Sequence, residues 1–159
     1  MKPLSRVITV GFAILAYPGL AAAQMPESMA GTWKLNVTKS TCSPGPCARS
    51  GTTRIEKLAG GGMKMITDGI SADGVATHRE LVSNFDGTEA EFKGSTPPEM
   101  RAYSRVNDRT YEWVTRVEGR ITSKGQGTVS ADGATRTNVV TRTNAAGNAL
   151  TSKTVYERQ

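Results

Sequence analysis

Histidine is nearly absent from this chain: His78 is the only one in 159 residues. That excludes a zinc site built on several histidines. His78 also lies in the strand-like run Thr77-His78-Arg79-Glu80, where alternation turns it towards solvent, away from any Ser-His-Asp arrangement and from a role as axial haem ligand. The sequence contains no Gly-x-Ser-x-Gly elbow, no phosphate-binding loop and no dinucleotide fingerprint. Glu89 and Glu91 share a strand face and read as a charged edge that resists aggregation, not as an acid–base pair. No catalytic residue, metal ligand or cofactor is assigned, and the chain is expected not to be an enzyme.

Long apolar runs are missing too. The longest, Val7 to Tyr17, is far short of the roughly 20 residues that span a bilayer. With Lys2 and Arg6 before it, Pro18 and Gly19 after it and the small residues Ala21 and Ala23 beyond, it has the pattern of a cleaved secretory leader. Residues 1–23 are therefore expected to be a signal peptide and residues 24–159 one mature domain, periplasmic or secreted, without a membrane anchor. Setting Lys2 and Arg6 aside leaves 18 basic side chains against 14 acidic ones. The two signs interleave, as in Arg54-Ile55-Glu56-Lys57, so no cationic face for nucleic acid is expected.

Cysteine is limited to Cys42 and Cys47, which enclose Ser-Pro-Gly-Pro. Proline and glycine force a tight turn there, and an oxidising compartment favours a disulfide between the two. Thioredoxin-like redox pairs have two intervening residues and open a helix, unlike this stretch. Closing so short a loop contributes little chain entropy, so the bond is expected to shape the loop more than to hold the fold.

What the chain has in quantity is short β-type runs. Val, Ile, Thr, Tyr and Trp gather near residues 31–37, 52–58, 63–67, 75–82, 89–92, 102–106, 110–117, 121–129, 134–142 and 149–158, and helical periodicity is nowhere sustained. Some of these runs are expected to be halves of longer strands, giving about eight to ten. Ser71-Ala72-Asp73-Gly74 and Ser130-Ala131-Asp132-Gly133 nearly repeat one another, and Asn84-Phe85-Asp86-Gly87 and Asn144-Ala145-Ala146-Gly147 are variants. Such turns imply antiparallel neighbours. Because open sheets expose unpaired edges, an all-β antiparallel up-and-down β-barrel is expected, with a β-sandwich as the alternative.

Both ends of the mature segment resemble known barrels. Gly31-Thr32-Trp33-Lys34-Leu35 resembles the Gly-x-Trp opening strand of lipocalins and fatty-acid-binding proteins, and Thr154-Val155-Tyr156-Glu157-Arg158 resembles the closing strand of the latter. The chain is also similar to small secreted bacterial lipocalin-like proteins. The resemblance implies that Trp33 packs at a closed barrel end with Arg158 across its face, a structural pair held by burial and cation–π attraction. Residues 38–51 are too short and proline-rich for the two-helix lid of fatty-acid-binding proteins, and the lipocalin motif near Asn107-Asp108-Arg109-Thr110-Tyr111 is degenerate. Where the carboxylate motif Arg-x-Tyr would stand, Thr154-Val155-Tyr156 keeps only the tyrosine. That argues against fatty acid as the ligand.

Aromatic residues are few. Seven remain after Phe12 and Tyr17 are set aside with the leader, so the interior is either thinly packed or occupied by water and a polar-tipped ligand. In the run 134–142, Thr135, Thr137, Val139 and Thr141 alternate with Ala134, Arg136, Asn138, Val140 and Arg142, and neither face is uniformly apolar. Candidate ligand-binding residues are Tyr156, from the resemblance, Trp113 as an apolar wall beside Tyr111, and Arg142 and Arg116 as partners for a carboxylate or phosphate. The expected partner is a small hydrophobic or amphipathic molecule, acidic where those arginines meet it, held in a monomer. The alternative is an envelope interaction module, an inhibitor or assembly factor with no internal ligand. A carrier keeps a cavity of some hundreds of cubic ångströms (roughly 300 or more) with convergent polar groups, whereas an interaction module fills its interior and exposes an apolar patch.

Overall fold

The computed structural model describes residues 24–159, so the leader expected at 1–23 lies outside the described residues. A single 3-10 turn, Glu27–Met29, precedes ten strands: β1 Gly31–Thr41, β2 Ser50–Lys57, β3 Met63–Ile70, β4 Ala76–Ser83, β5 Asp86–Phe92, β6 Glu99–Arg105, β7 Thr110–Val117, β8 Arg120–Val129, β9 Thr135–Thr143 and β10 Ala149–Arg158. No two of the sequence runs merge into one strand, contrary to expectation, because Gly, Asn or Asp turns the chain at nearly every junction. Gly74, Gly133 and Gly147 close such turns with φ of 92°, 71° and 84°. Asp73 and Asp132 accept hydrogen bonds from Ser71 and Ser130 within the two near-repeats, which holds both carboxyls below the usual carboxylate range.

All pairings are antiparallel and run in the order β4-β3-β2-β1-β10-β9-β8-β7-β6-β5. The outermost strands, β4 and β5, meet through one bridge, Glu80 with Lys93, whose N–H groups donate to each other's carbonyls at 3.2 and 2.9 Å. The sheet is thus a nearly closed up-and-down barrel, not a sandwich, and only one seam retains exposed edges.

The two ends differ. At the closed end, residues 25–29 cross beneath the strands: the Met25 N–H donates to the Gly61 carbonyl at 2.8 Å, and the Ser28 hydroxyl to the Asp108 carbonyl at 2.8 Å. Met25 and Met29 are buried in one core cluster with Ile55, Met63, Leu81 and Phe85. Trp33 is wholly buried and its indole N–H donates to the Met29 carbonyl at 2.9 Å. The Arg158 guanidinium stands 4.2 Å from a Trp33 ring centre and donates to the carbonyls of Gly133, Ala30 and Ser28, each at 2.7 Å. One cation therefore ties the last strand to the β8–β9 turn and to the segment that leads into β1. Gly31 is required beside it. Its φ is 127°, and a Cβ there would collide with the guanidinium.

At the opposite end Cys42 and Cys47 form a disulfide that pins the β1–β2 loop over the barrel mouth. The loop is anchored to β10, where the inward-facing Ser152 hydroxyl accepts from the Ser43 N–H at 3.0 Å and donates to its carbonyl at 3.2 Å.

Trp33→Ala should cost about 3–5 kcal/mol of unfolding free energy, as for other buried aromatics, while Arg158→Ala costs about 1 kcal/mol for its cation–π contact and up to a few more for its three carbonyls. Denaturant unfolding measures both. A Trp33→Ala loss below about 1 kcal/mol would remove Trp33 from its place as the closed-end anchor.

Candidate functional site

Between the packed closed end and the disulfide loop the barrel encloses a cavity of about 380 Å³, within the range that small-ligand sites occupy. Its first wall is aromatic. Tyr111 and Trp113 alternate inward along β7, and Tyr103 joins them from β6. The Tyr103 and Trp113 ring centres are 5.7 Å apart and the planes differ by 23°; for Tyr111 and Trp113 the values are 5.9 Å and 26°. The rings lie flat because β8 offers them glycine: Gly125 pairs with Trp113 and Gly127 with Tyr111. A Cβ at either glycine would penetrate the facing ring. The Tyr111 hydroxyl donates to Asn138 Oδ1 at 2.9 Å, and burial pushes its pKa up to about 12.

The second wall is cationic. Arg136 projects inward from β9 opposite Tyr156 of β10. Its guanidinium stands 4.6 Å from the Tyr156 ring centre and 5.3 Å from a ring centre of Trp33. The residue is only 2% exposed. Among the described residues it makes no ion pair, and its Nε has no hydrogen-bond partner. Moving a cation from water into a protein interior costs several kcal/mol even after relaxation (roughly 3 or more), and each ring offsets about 0.5–2 kcal/mol of that. An anion in the cavity would supply the remainder.

Across the barrel a third group faces the same space. Phe92 of β5 carries Arg101 of β6 at 3.9 Å and Arg79 of β4 at 5.6 Å from its ring centre. Arg101 is bonded to Glu99 at 2.9 Å.

The sequence-selected residues divide between cavity, mouth and outer surface. Tyr156 and Trp113 line the cavity, and Arg142 reaches its rim, exposed, near the disulfide loop. Arg116 is corrected. It lies on the outer face, ion-paired to Glu89, because the alternation that turns Tyr111, Trp113 and Thr115 inward sends Arg116 outward. Arg79, Arg101 and Arg136 were not among the candidates. Arg136 had a signal in the sequence, the parity it shares with Asn138, Val140 and Arg142; Arg79 and Arg101 had none beyond charge within strand-like runs.

His78 lies on the outer face of β4, with Nδ1 2.6 Å from Asp68 Oδ1 and Nε2 3.1 Å from Glu80 Oε1. These hydrogen bonds, Asp68 first, raise its pKa above the ordinary imidazole value. What the protonated ring contributes is therefore complete below the unfolded-state pKa and is lost as pH rises through the raised one.

No protein-family model matches the chain, and no curated protein does. Solved structures do match in fold. The fluorescent protein UnaG superposes with a TM-score of 0.59 at 15% identity, over 85% of this chain and all of that one, and a point variant of it with 0.54 at 17% identity. The zebrafish ileal bile-acid-binding protein, complexed with cholic acid, superposes with a TM-score of 0.54 at 9% identity, over 83% of this chain and 99% of that one. The architecture is thus the antiparallel barrel fold that these structures share. At these identities the likeness is one of fold.

Gly127→Ala should destabilise the barrel by about 1–3 kcal/mol, because the new methyl must displace the Tyr111 ring and strain its bond to Asn138. Denaturant unfolding of this variant beside Gly51→Ala, where a Cβ would meet only Leu35 at an ordinary 3.6 Å, checks the packing argument. A loss at Gly127 below about 0.5 kcal/mol would mean that the ring does not rest on β8.

Proposed function

We propose that this protein is an exported carrier or sensor that binds a small amphipathic acid inside its barrel, and that it is not an enzyme. The observation that carries the reading is Arg136: a cation buried in a cavity wall, stacked on Tyr156 and Trp33, with no acidic partner among the described residues. Acid groups recognise a guanidinium through charge-assisted hydrogen bonds, and Tyr156 stands beside it, on the position kept from the Arg-x-Tyr motif. The arginine that motif lacks on β10 is supplied by the neighbouring strand. The apolar body of the ligand rests on the Tyr103–Trp113–Tyr111 wall. Support for a carrier over an interaction module comes from the cavity itself, since a module that works through its outer surface has no use for convergent polar groups inside. Support for export comes from the leader-like residues and from the disulfide, which persists in oxidising compartments. The bile-acid-binding neighbour is one instance of the same barrel holding an amphipathic acid.

Uptake of 8-anilinonaphthalene-1-sulfonate, followed by its fluorescence, tests the reading. Arg136→Met should weaken binding by about ten- to a hundredfold, the worth of a charge-assisted hydrogen bond (about 1.5–3 kcal/mol), while the variant remains folded. Tyr156→Phe and Arg142→Ala should weaken it less, and Arg116→Ala should leave it unchanged. Absence of uptake by the wild type, or equal uptake by a folded Arg136→Met variant, would return the argument to the interaction module.

A further inference from the structure

The cavity contains more positive charge than one acid group can answer. Arg136 occupies the wall formed by β9, β10 and β1, whereas Arg79 and Arg101 occupy the wall formed by β4, β5 and β6. In the ring of ten strands β4, which carries Arg79, is five places from β9, which carries Arg136, and β6, which carries Arg101, is three places from it, so the Arg79–Phe92–Arg101 group lies across the barrel from Arg136. All three arginines line the cavity, and in each of them Nε is buried without a hydrogen-bond partner among the described residues. The Arg101 side chain is 17% exposed and its acidic partner, Glu99, is 25% exposed. No Asp or Glu lines the cavity, and Glu99 is the one carboxylate bonded to any of the three guanidinium groups among the described residues. Three guanidinium charges against one carboxylate leave a surplus of two, divided between opposite walls. Arg142 adds a further cation only at the solvated rim, where water screens it.

We infer that the ligand carries two acid groups, one held by Arg136 with Tyr156 and the other by Arg79 with Arg101. This rests on the carrier reading above. The Arg79–Phe92–Arg101 stack also spans the β4–β5 seam, where one bridge is all the backbone provides, and it has a mechanical use there. A clamp needs only the stacking faces of the two guanidinium groups. It does not need their unpaired N–H groups to border the cavity, nor a charge surplus on both walls. A second anion accounts for both.

Calorimetric titration with dodecanedioic acid and with its monomethyl ester, which differ by a single charge, separates the possibilities. The diacid should bind about ten- to a hundredfold more tightly than the half-ester, and Arg101→Met should remove most of that difference while changing half-ester affinity less than about threefold. Equal affinity for the two compounds would overturn the inference and leave the Arg79–Phe92–Arg101 stack as a clamp, with the carrier reading intact. Failure of both to bind, together with the absence of dye uptake, would overturn the carrier reading itself. Arg101→Met has a second readout: a fall in stability with the diacid preference retained would assign the pair to the seam and contradict the inference.

Discussion

The contact of Arg158 with Trp33 is the one on which the arrangement of this barrel depends. A guanidinium stacked on an indole, with donors answered by the carbonyls of Ser28 and Ala30, just before the first strand, and of Gly133 in the β8–β9 turn, fixes the first and last strands to each other and shuts one end. That end is filled by Trp33, Phe85, Met25, Met63 and Leu81. In the other half Tyr103, Tyr111 and Trp113 stand against the wall and leave the space between the walls open. Gly31, which makes room for Arg158, belongs to the closed-end contact.

Within the hollow half, packing and charge work against each other. Gly125 and Gly127 give up side chains of their own so that Trp113 and Tyr111 can lie flat on β8, which widens the space while keeping it lined with aromatic carbon. Arg79, Arg101 and Arg136 place cations in that space with too few acids to match them. Replacing buried charges by apolar residues of similar volume is often neutral or stabilising, so folding alone gives no reason for Arg136. The acid ligand proposed above would give one.

Much of the architecture was legible in the sequence because it rests on local chemistry. Gly and Asp in Ser-Ala-Asp-Gly mark turns by backbone preference, and ten β-type runs between such marks give ten strands in a meander. The two ends resemble known barrels, and Arg158 stands across Trp33 as that resemblance implies, while Cys42 and Cys47 are bonded across the Pro-Gly turn that separates them. The cavity was less legible. Which face of a strand is inside is encoded by apolar alternation, and on β9 both faces mix threonine, valine and polar residues, so the one mark Arg136 carried was the parity it shares with Arg142. Arg116 shows the converse. It was selected for its charge, although its parity with Glu112 and Val114, opposite to Trp113, places it on the outside. Arg79 and Arg101 become neighbours only when β4 and β6 converge on Phe92 from either side of β5, a relation that no spacing in the chain expresses.

The central claim is that the interior binds an anion at Arg136. Native mass spectrometry of the protein purified from cells that make it naturally addresses this most directly, because a retained molecule declares its own mass and its fragments declare its acid groups. The account predicts an adduct of a small organic acid that is lost when Arg136 is replaced by methionine. A spectrum showing only the bare disulfide-bonded chain after gentle desolvation, or an adduct that survives Arg136→Met undiminished, would contradict it.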